Sequence, residues 1–144
     1  MEVGCGWGLA SIYCAKRHNA AVTAVDLDPE VFPYLHLHAL INGVKVFTMK
    51  RAFGGLGQSD LEGIDVLMGA DVCFWDKMIL SLKRLINRGL RAGVRLVLIA
   101  DPGRSPFNSL CDYYAEREGA HILDWTVRHP RRIQGRILKI GSLE

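Results

Sequence analysis

Glu2-Val3-Gly4-Cys5-Gly6-Trp7-Gly8 opens the chain, and Ala21-Val22-Thr23-Ala24-Val25-Asp26 follows one short helical stretch later. The first stretch reads as a strand end running into a GxGxG loop. Without Cβ atoms, glycines let a backbone turn sharply and approach a ligand, and the helix that follows offers free N–H groups. That helix is predicted from Leu9, Ile12 and Tyr13 at i, i+3 and i+4, with Lys16-Arg17-His18 as cations in its last turn. The second stretch is a β-branched strand ending on Asp26, 18 residues beyond Gly8. An acidic side chain there accepts hydrogen bonds from the hydroxyls of a ribose. A plain tight turn and an acidic strand end are the structural alternative. The dinucleotide fingerprint GxGxxG puts its third glycine where this chain has Leu9, whereas Gly8 comes one residue early, which weighs against a nicotinamide cofactor.

Asp28-Pro29-Glu30 competes with Asp26 for the ribose. A helix cap followed by proline at the first helical position and an early acid accounts for Asp28 better, so the ribose role goes to Asp26. The capped helix is expected to reach Asn42-Gly43, with Pro33 distorting its start.

Outward from this unit the pattern repeats as strand, helix, strand. Val44 to Thr48, Ile64 to Gly69 and Val94 to Ala100 read as strands, the last so apolar that cover on both sheet faces is expected. Met78, Leu82, Leu85 and Ile86 mark one helix face, with Lys83, Arg84, Arg88 and Arg91 on its other sides, and Ser105-Pro106 starts another helix that stops near Gly119. The stretch from Arg51 to Gly63 reads as loop. Leu123, Trp125 and Val127 alternate, His129-Pro130-Arg131-Arg132 turns, and Ile133 to Ile140 runs back. Strands joined so closely are antiparallel. The expected fold is α/β: a doubly wound, mostly parallel, Rossmann-like sheet with a C-terminal antiparallel hairpin, forming a single domain over residues 1–144.

Composition bounds the function. At 144 residues, 49% of them hydrophobic, the chain suits one globular domain and excludes intrinsic disorder. Its most apolar run, Val94 to Ala100, contains Arg95 and falls far short of the roughly 20 residues that span a bilayer. The net charge of +3 is too small for a dedicated nucleic-acid binder. The cysteines Cys5, Cys14, Cys73 and Cys111 contain no CxxC pair, so reduced thiols are expected and a zinc ribbon is not. His36 and His38, two apart on a helix, cannot share a metal. No metal site is expected. Met1 is followed at once by Glu2 and glycines, unlike a secretory signal, and a cytoplasmic location is expected.

Glu2-Val3-Gly4-Cys5-Gly6-Trp7-Gly8 resembles motif I of the class I, seven-strand S-adenosylmethionine-dependent methyltransferases. Val25-Asp26 resembles the acidic end of that family's second strand, and the terminal hairpin is similar to its last two strands. The resemblance covers essentially the whole chain. It implies that Gly4, Cys5, Gly6 and Gly8 pack against the methionine part of S-adenosylmethionine, that Asp26 binds the ribose, and that Glu2 supports the loop. It also implies methyl transfer by in-line displacement to a protein side chain or a small molecule.

Asp71, Phe74 and Trp75 follow the fourth strand, beyond the carboxyl end where ligands bind in open parallel sheets. In-line displacement needs an aligned acceptor shielded from water more than a strong base, so one carboxylate and an aromatic wall suffice. Asp71 is the candidate catalytic residue, and Phe74 and Trp75 are candidates for substrate binding. Asp71-Val72-Cys73-Phe74 resembles the Asp-x-x-Tyr segment of the branch that includes many protein-lysine methyltransferases, with phenylalanine in place of tyrosine. Asp101 and Arg104, after the fifth strand on the same sheet edge, are substrate-rim candidates beside the plain reading of Pro102-Gly103 as a turn. The basic residues Arg128, Arg131, Arg132 and Arg136 read as a solvated turn, and nucleic acid is not the expected partner.

With only three residues before Gly4, the first strand is expected to be cut short. That predicts a chain keeping most of the cofactor residues without the cover over them, and self-association through an incomplete sheet. The alternative function is a non-catalytic or truncated module that binds the cofactor or a partner. A nicotinamide-dependent oxidoreductase is the third reading.

Overall fold

Glycine or proline marks several of the turns in the first half of the chain. The computed structural model describes residues 1–128 and 130–143; His129, part of the expected hairpin turn, lies outside the described residues. Strand β1 (Glu2–Val3) leads through the glycine loop into helix α1 (Leu9–His18), and β2 (Thr23–Asp26) follows. A 3-10 turn over Pro29–Val31 precedes α2 (Phe32–Asn42), with Pro33 in the first turn of the helix, as expected from its position. Gly43 closes α2 at φ 66°, a left-handed conformation that suits glycine.

Strand β3 (Phe47–Lys50) starts later than the sequence suggests. Val44 N–H still donates to the Ala39 carbonyl at 3.0 Å, so the chain is finishing the helix before it extends. The remaining elements are β4 (Val66–Ala70), α3 (Asp76–Arg91), β5 (Leu96–Asp101), α4 (Ser105–Glu118), β6 (His121–Val127) and β7 (Ile133–Gly141).

All these strands join one sheet in the order β3-β2-β1-β4-β5-β7-β6, parallel except for β7, which runs antiparallel to both β5 and β6. The doubly wound architecture with a terminal antiparallel hairpin is therefore the observed fold. The Met1 carbonyl accepts from Met68 N–H at 2.9 Å, which extends the pairing of β1 with β4.

Helices α3 and α4 cover one face. Ile79, Leu82, Leu85 and Ile86 of α3 and Phe107, Leu110 and Tyr114 of α4 pack there on Leu67, Val97, Ile99 and Leu138. The Tyr114 hydroxyl donates to Asn87 Oδ1 at 2.9 Å, so this large buried ring keeps its polar atom satisfied.

The opposite face is covered unevenly. Cys5, Ala24 and Leu35 form a small core over β1 and β2. Residues of β5 alternate between part-buried and buried, so Leu96, Leu98 and Ala100 lack the full cover that the apolar run predicted. Further along this face, Leu123, Trp125 and Ile133 of the hairpin are exposed.

Helix α1 also departs from the expected face. Its buried residues are Ser11 and Ile12, while Leu9 and Tyr13 are exposed. The cause is polar: Ser11 must face inward to meet the buried Glu2 carboxylate, and that rotates Leu9 and Tyr13 outward. Among the described residues no helix is long and apolar enough to cross a membrane.

Candidate active site

The carboxyl ends of β1, β2 and β4 meet at one edge of the sheet, and three loops rise from them. The first is held from beneath. Glu2 is buried, and its carboxylate accepts hydrogen bonds from Ser11 N–H at 2.9 Å and from the Ser11 hydroxyl. Burial pushes its pKa up, partly offset by those two bonds. Glu2 thus ties β1 to the first turn of α1 and fixes the span of the loop between them.

Within the loop, Gly4 and Gly8 adopt φ values of +64° and +74°. A Cβ at Gly8 would stand 2.5 Å from the buried Leu35 side chain, so this glycine lets α1 and α2 close together. A Cβ at Gly4 would stand 2.6 Å from Val72 Cγ1 and 4.0 Å from the Phe53 ring. Cys5 donates its N–H to the Val25 carbonyl at 3.1 Å, and burial raises its thiol to about 12. It is an anchor, not a nucleophile.

Asp26 braces the loop from the side. Its Oδ2 accepts from Gly6 N–H at 2.9 Å and its Oδ1 from Asp28 N–H at 3.0 Å. Each oxygen keeps a further lone pair for a ligand hydroxyl. Asp28 accepts from Glu30 N–H at 3.0 Å, which is the cap expected of it.

Between these loops lies a cavity of about 390 Å³, bounded by Gly4, Asp26, Phe53, Asp71, Phe74 and Met78 among others. Its size and its mixture of apolar walls with a few polar groups suit a nucleoside-sized ligand. Gly6, Gly8, Cys5 and Glu2 do not border it, and act by shaping the loop.

Sequence reasoning missed Leu27, Arg51, Phe53, Lys77 and Ser81, which also line the cavity. Phe53 enters because Asp26 pairs with Lys50 in register, which puts the segment after β3 beside the end of β2. Arg88 of α3 then holds that segment, donating to the carbonyls of Leu56 at 2.9 Å and Phe53 at 2.6 Å. Arg88, off the buried face of α3 as expected, has a role the sequence did not signal. For Phe53 the sequence carried no signal beyond the expectation of parallel strands, whose carboxyl ends share one edge.

The residues singled out after β4 and β5 gather in one cluster. Asp71 has φ 58°, a left-handed conformation that turns the chain across the strand ends. Arg104 forms ion pairs with both Asp71 and the buried Asp101, and its guanidinium lies 4.1 Å above the Phe74 ring. Asp101 Oδ1 also accepts from Gly103 and Arg104 N–H, each at 2.9 Å. Asp101 therefore supports Arg104, and Arg104 joins the loops after β4 and β5.

Trp75 lies at the start of α3, exposed, with its ring centroid 5.6 Å from that of Phe74 and outside the cavity wall. Trp7 stacks on Tyr34 at 5.2 Å, on the outer side of the glycine loop. His38 approaches the Trp7 carbonyl and His36 the Thr48 hydroxyl, so the two imidazoles have separate surroundings.

No family model matches the chain. Over 46 residues it is 48% identical to the ubiquinone biosynthesis O-methyltransferase of Xylella fastidiosa (strain 9a5c), a stretch covering 32% of this chain and 18% of that protein. The chain thus spans under a fifth of that relative's length. Among solved structures, it resembles the methyltransferase domain of bacterial CtHen1 with a TM-score of 0.74 at 12% identity, covering 98% of this chain and 88% of that one. It also resembles a methyltransferase from Pyrococcus furiosus with a TM-score of 0.71 at 18% identity, over 99% and 75% of the two chains. The shared feature is the fold, a Rossmann-like methyltransferase sheet.

Proposed function

We propose that the chain is an S-adenosylmethionine-dependent methyltransferase whose acceptor is a small molecule or a protein side chain. The observation that carries this reading is the cavity wall where the glycine loop and Asp26 meet, joined by the Gly6–Asp26 hydrogen bond of 2.9 Å. The fit to the cofactor rests on the residues present. A Cβ at Gly4 would run into the Val72 side chain of that wall, so glycine keeps it open beside the Asp26 carboxylate.

In this reading Asp26 accepts hydrogen bonds from the ribose hydroxyls with its free lone pairs. Phe53 and Met78 offer apolar contact for a purine. The glycine loop passes the methionine part, and Glu2 and Cys5 hold that loop in place. When bound, S-adenosylmethionine supplies an electrophilic methyl group on a sulfonium that leaves as a neutral thioether. The protein's contribution is alignment and exclusion of water. Asp71 stands at the cavity rim, where it orients the acceptor by accepting a hydrogen bond and passes the released proton to water along its exposed side. Arg104 and Asp101 hold the rim in position.

Titration calorimetry with S-adenosylhomocysteine tests the proposal, and saturable one-to-one binding is the expected result. Binding of NADH with none of the adenosyl ligand would overturn it. A protein that binds the adenosyl ligand and labels no acceptor in an extract supplied with methyl-labelled cofactor would be a binding module only.

A further inference from the structure

The cavity beside the glycine loop carries more charge than the cofactor uses. The ionisable side chains that border it are Asp26, Arg51, Asp71 and Lys77. Asp71 is matched by its ion pair with Arg104, which stands outside the wall. Asp26 accepts from two main-chain N–H groups and keeps its remaining lone pairs for the ribose. Arg51 and Lys77 make no ion pair among the described residues. The Arg51 guanidinium donates only to the carbonyl of its neighbour Lys50, at 3.2 Å. Both cations are exposed, so they stand at the mouth of the cavity, above a wall made apolar by Phe53, Val72, Phe74 and Met78.

The two cations reach the mouth from opposite sides. Arg51 follows β3 beside the end of β2, because Asp26 pairs with Lys50 in register. Lys77 lies in the first turn of α3, and Ser81 of the same helix borders the cavity with it. Residues four apart on a helix have Cβ atoms about 5–6 Å apart, so the ammonium and the hydroxyl serve one place. The Ser81 hydroxyl makes no hydrogen bond within the described chain. Asp76 is next to Lys77 in the chain, but successive helix residues do not face each other, and Asp76 does not border the cavity.

We propose that the methyl acceptor is a small hydroxylated carboxylic acid whose carboxylate is held by Lys77 and Ser81, with Arg51 adding to the field that draws it in. The inference rests on the methyltransferase reading. Its new content is the chemical class of the acceptor and the residues that select it. An ammonium and a hydroxyl supply donors for the two oxygens of a carboxylate. The organic body lies on Phe74 and Met78, and the acceptor hydroxyl donates to Asp71. That oxygen bonds the methyl carbon as the carbon–sulfur bond breaks. The electron pair leaves on sulfur, and the hydroxyl proton passes through Asp71 to water.

Charge decides against other acceptors. S-adenosylmethionine brings a sulfonium and an ammonium against a single carboxylate, so it adds positive charge to a mouth that already holds two unmatched cations. An ammonium acceptor would add another, and repulsion between like charges grows as water is excluded. A neutral acceptor leaves the excess in place, whereas a carboxylate removes part of it. A cleft lined by one sign of charge also concentrates ligands of the opposite sign.

The test titrates the 15N-labelled chain in the presence of S-adenosylhomocysteine. 4-Hydroxybenzoate is expected to shift the amides of residues 76–81, and its affinity to fall as salt is raised. 4-Hydroxybenzamide has the same shape without the charge and is expected to bind about fivefold more weakly, the upper range for an exposed ion pair. Lys77→Gln is expected to cost 4-hydroxybenzoate about the same fivefold and to leave 4-hydroxybenzamide unaffected. Lys77→Arg should restore the affinity. Lys77 is exposed, so neither change removes a core contact.

Equal binding of 4-hydroxybenzamide or of tyramine, indifference to Lys77→Gln, or shifts that miss residues 76–81 would each overturn the proposal. Tighter binding of phenyl phosphate would overturn the carboxylate. A Lys77→Gln chain that loses affinity for S-adenosylhomocysteine but not for 5′-methylthioadenosine, which lacks the amino-acid part, would give Lys77 to the cofactor's own carboxylate and overturn it too. Lys77-dependent binding of 4-hydroxybenzoate by a chain that takes no adenosyl ligand would overturn the cofactor reading and leave the acid site standing.

Discussion

Replacing Asp26 separates its two duties, bracing the glycine loop and holding a ribose. The carboxylate accepts main-chain hydrogen bonds from Gly6 at 2.9 Å and Asp28 at 3.0 Å. Bonds to a charged group are worth about 1.5–3 kcal/mol each when buried. Asp26 is only partly buried, so Asp26→Ala is expected to cost about 2 kcal/mol in total. For a chain of this size that lowers Tm by roughly 4–8 °C. Asp26→Asn keeps one acceptor oxygen, and about half that loss is expected of it.

Ligand affinity should fall more steeply than stability alone explains. Asp26→Ala removes the partner of the ribose hydroxyls, and one charge-assisted bond corresponds to about tenfold or more in Kd for S-adenosylhomocysteine. Thermal melts and calorimetry on the same samples give both numbers. A lowered Tm with Kd unchanged within twofold would refute the ribose contact and leave Asp26 as a brace. An unchanged Tm would refute the bracing argument.

Other perturbations follow from the same geometry. Gly8→Ala puts a Cβ into Leu35 at a φ of +74°, combining left-handed strain with overpacking, and should destabilise by about 3 kcal/mol in urea unfolding. Burial raises the pKa of Glu2 above its ordinary value of about 4.5, so the folded state holds this proton more tightly than the unfolded chain. Its contribution to stability is present in acid and is lost as pH rises from about 4.5 through the folded value. Glu2→Gln removes that dependence, so its stability relative to the parent chain should improve between pH 4.5 and 7 in urea titrations. Arg104→Ala leaves the buried Asp101 carboxylate without its ion-pair partner and should cost about 2 kcal/mol, below the usual figure for a broken buried pair because Arg104 is partly exposed. Chemical denaturation measures it.

The features legible in the sequence are local ones. Gly4, Gly6, Gly8 and Asp26 signal themselves because a left-handed φ and an acidic strand end depend on a few neighbours. The proline in α2 and the Gly43 stop are legible for the same reason. The packed face of helix α1 was not, because it is decided by two tertiary hydrogen bonds from Ser11 to Glu2 that override the Leu9–Tyr13 stripe. Phe53 was not legible either, since a glycine-rich loop carries no periodicity and its position depends on β3 register and on Arg88 from a distant helix.

The sequence by itself determined the order of elements, the antiparallel end and the loop that turns at the edge of the sheet. Hydrophobic period, turn chemistry and positive-φ glycines act over short range, and each strand end carries its own signal. Only the tertiary structure decided which strand ends share a cavity, that Arg104 joins Asp71 to Asp101, and that Arg51 and Lys77 border the same cavity. Alternation along a strand shows that residues take opposite faces, but only the pairing of neighbouring strands decides which strand ends stand together.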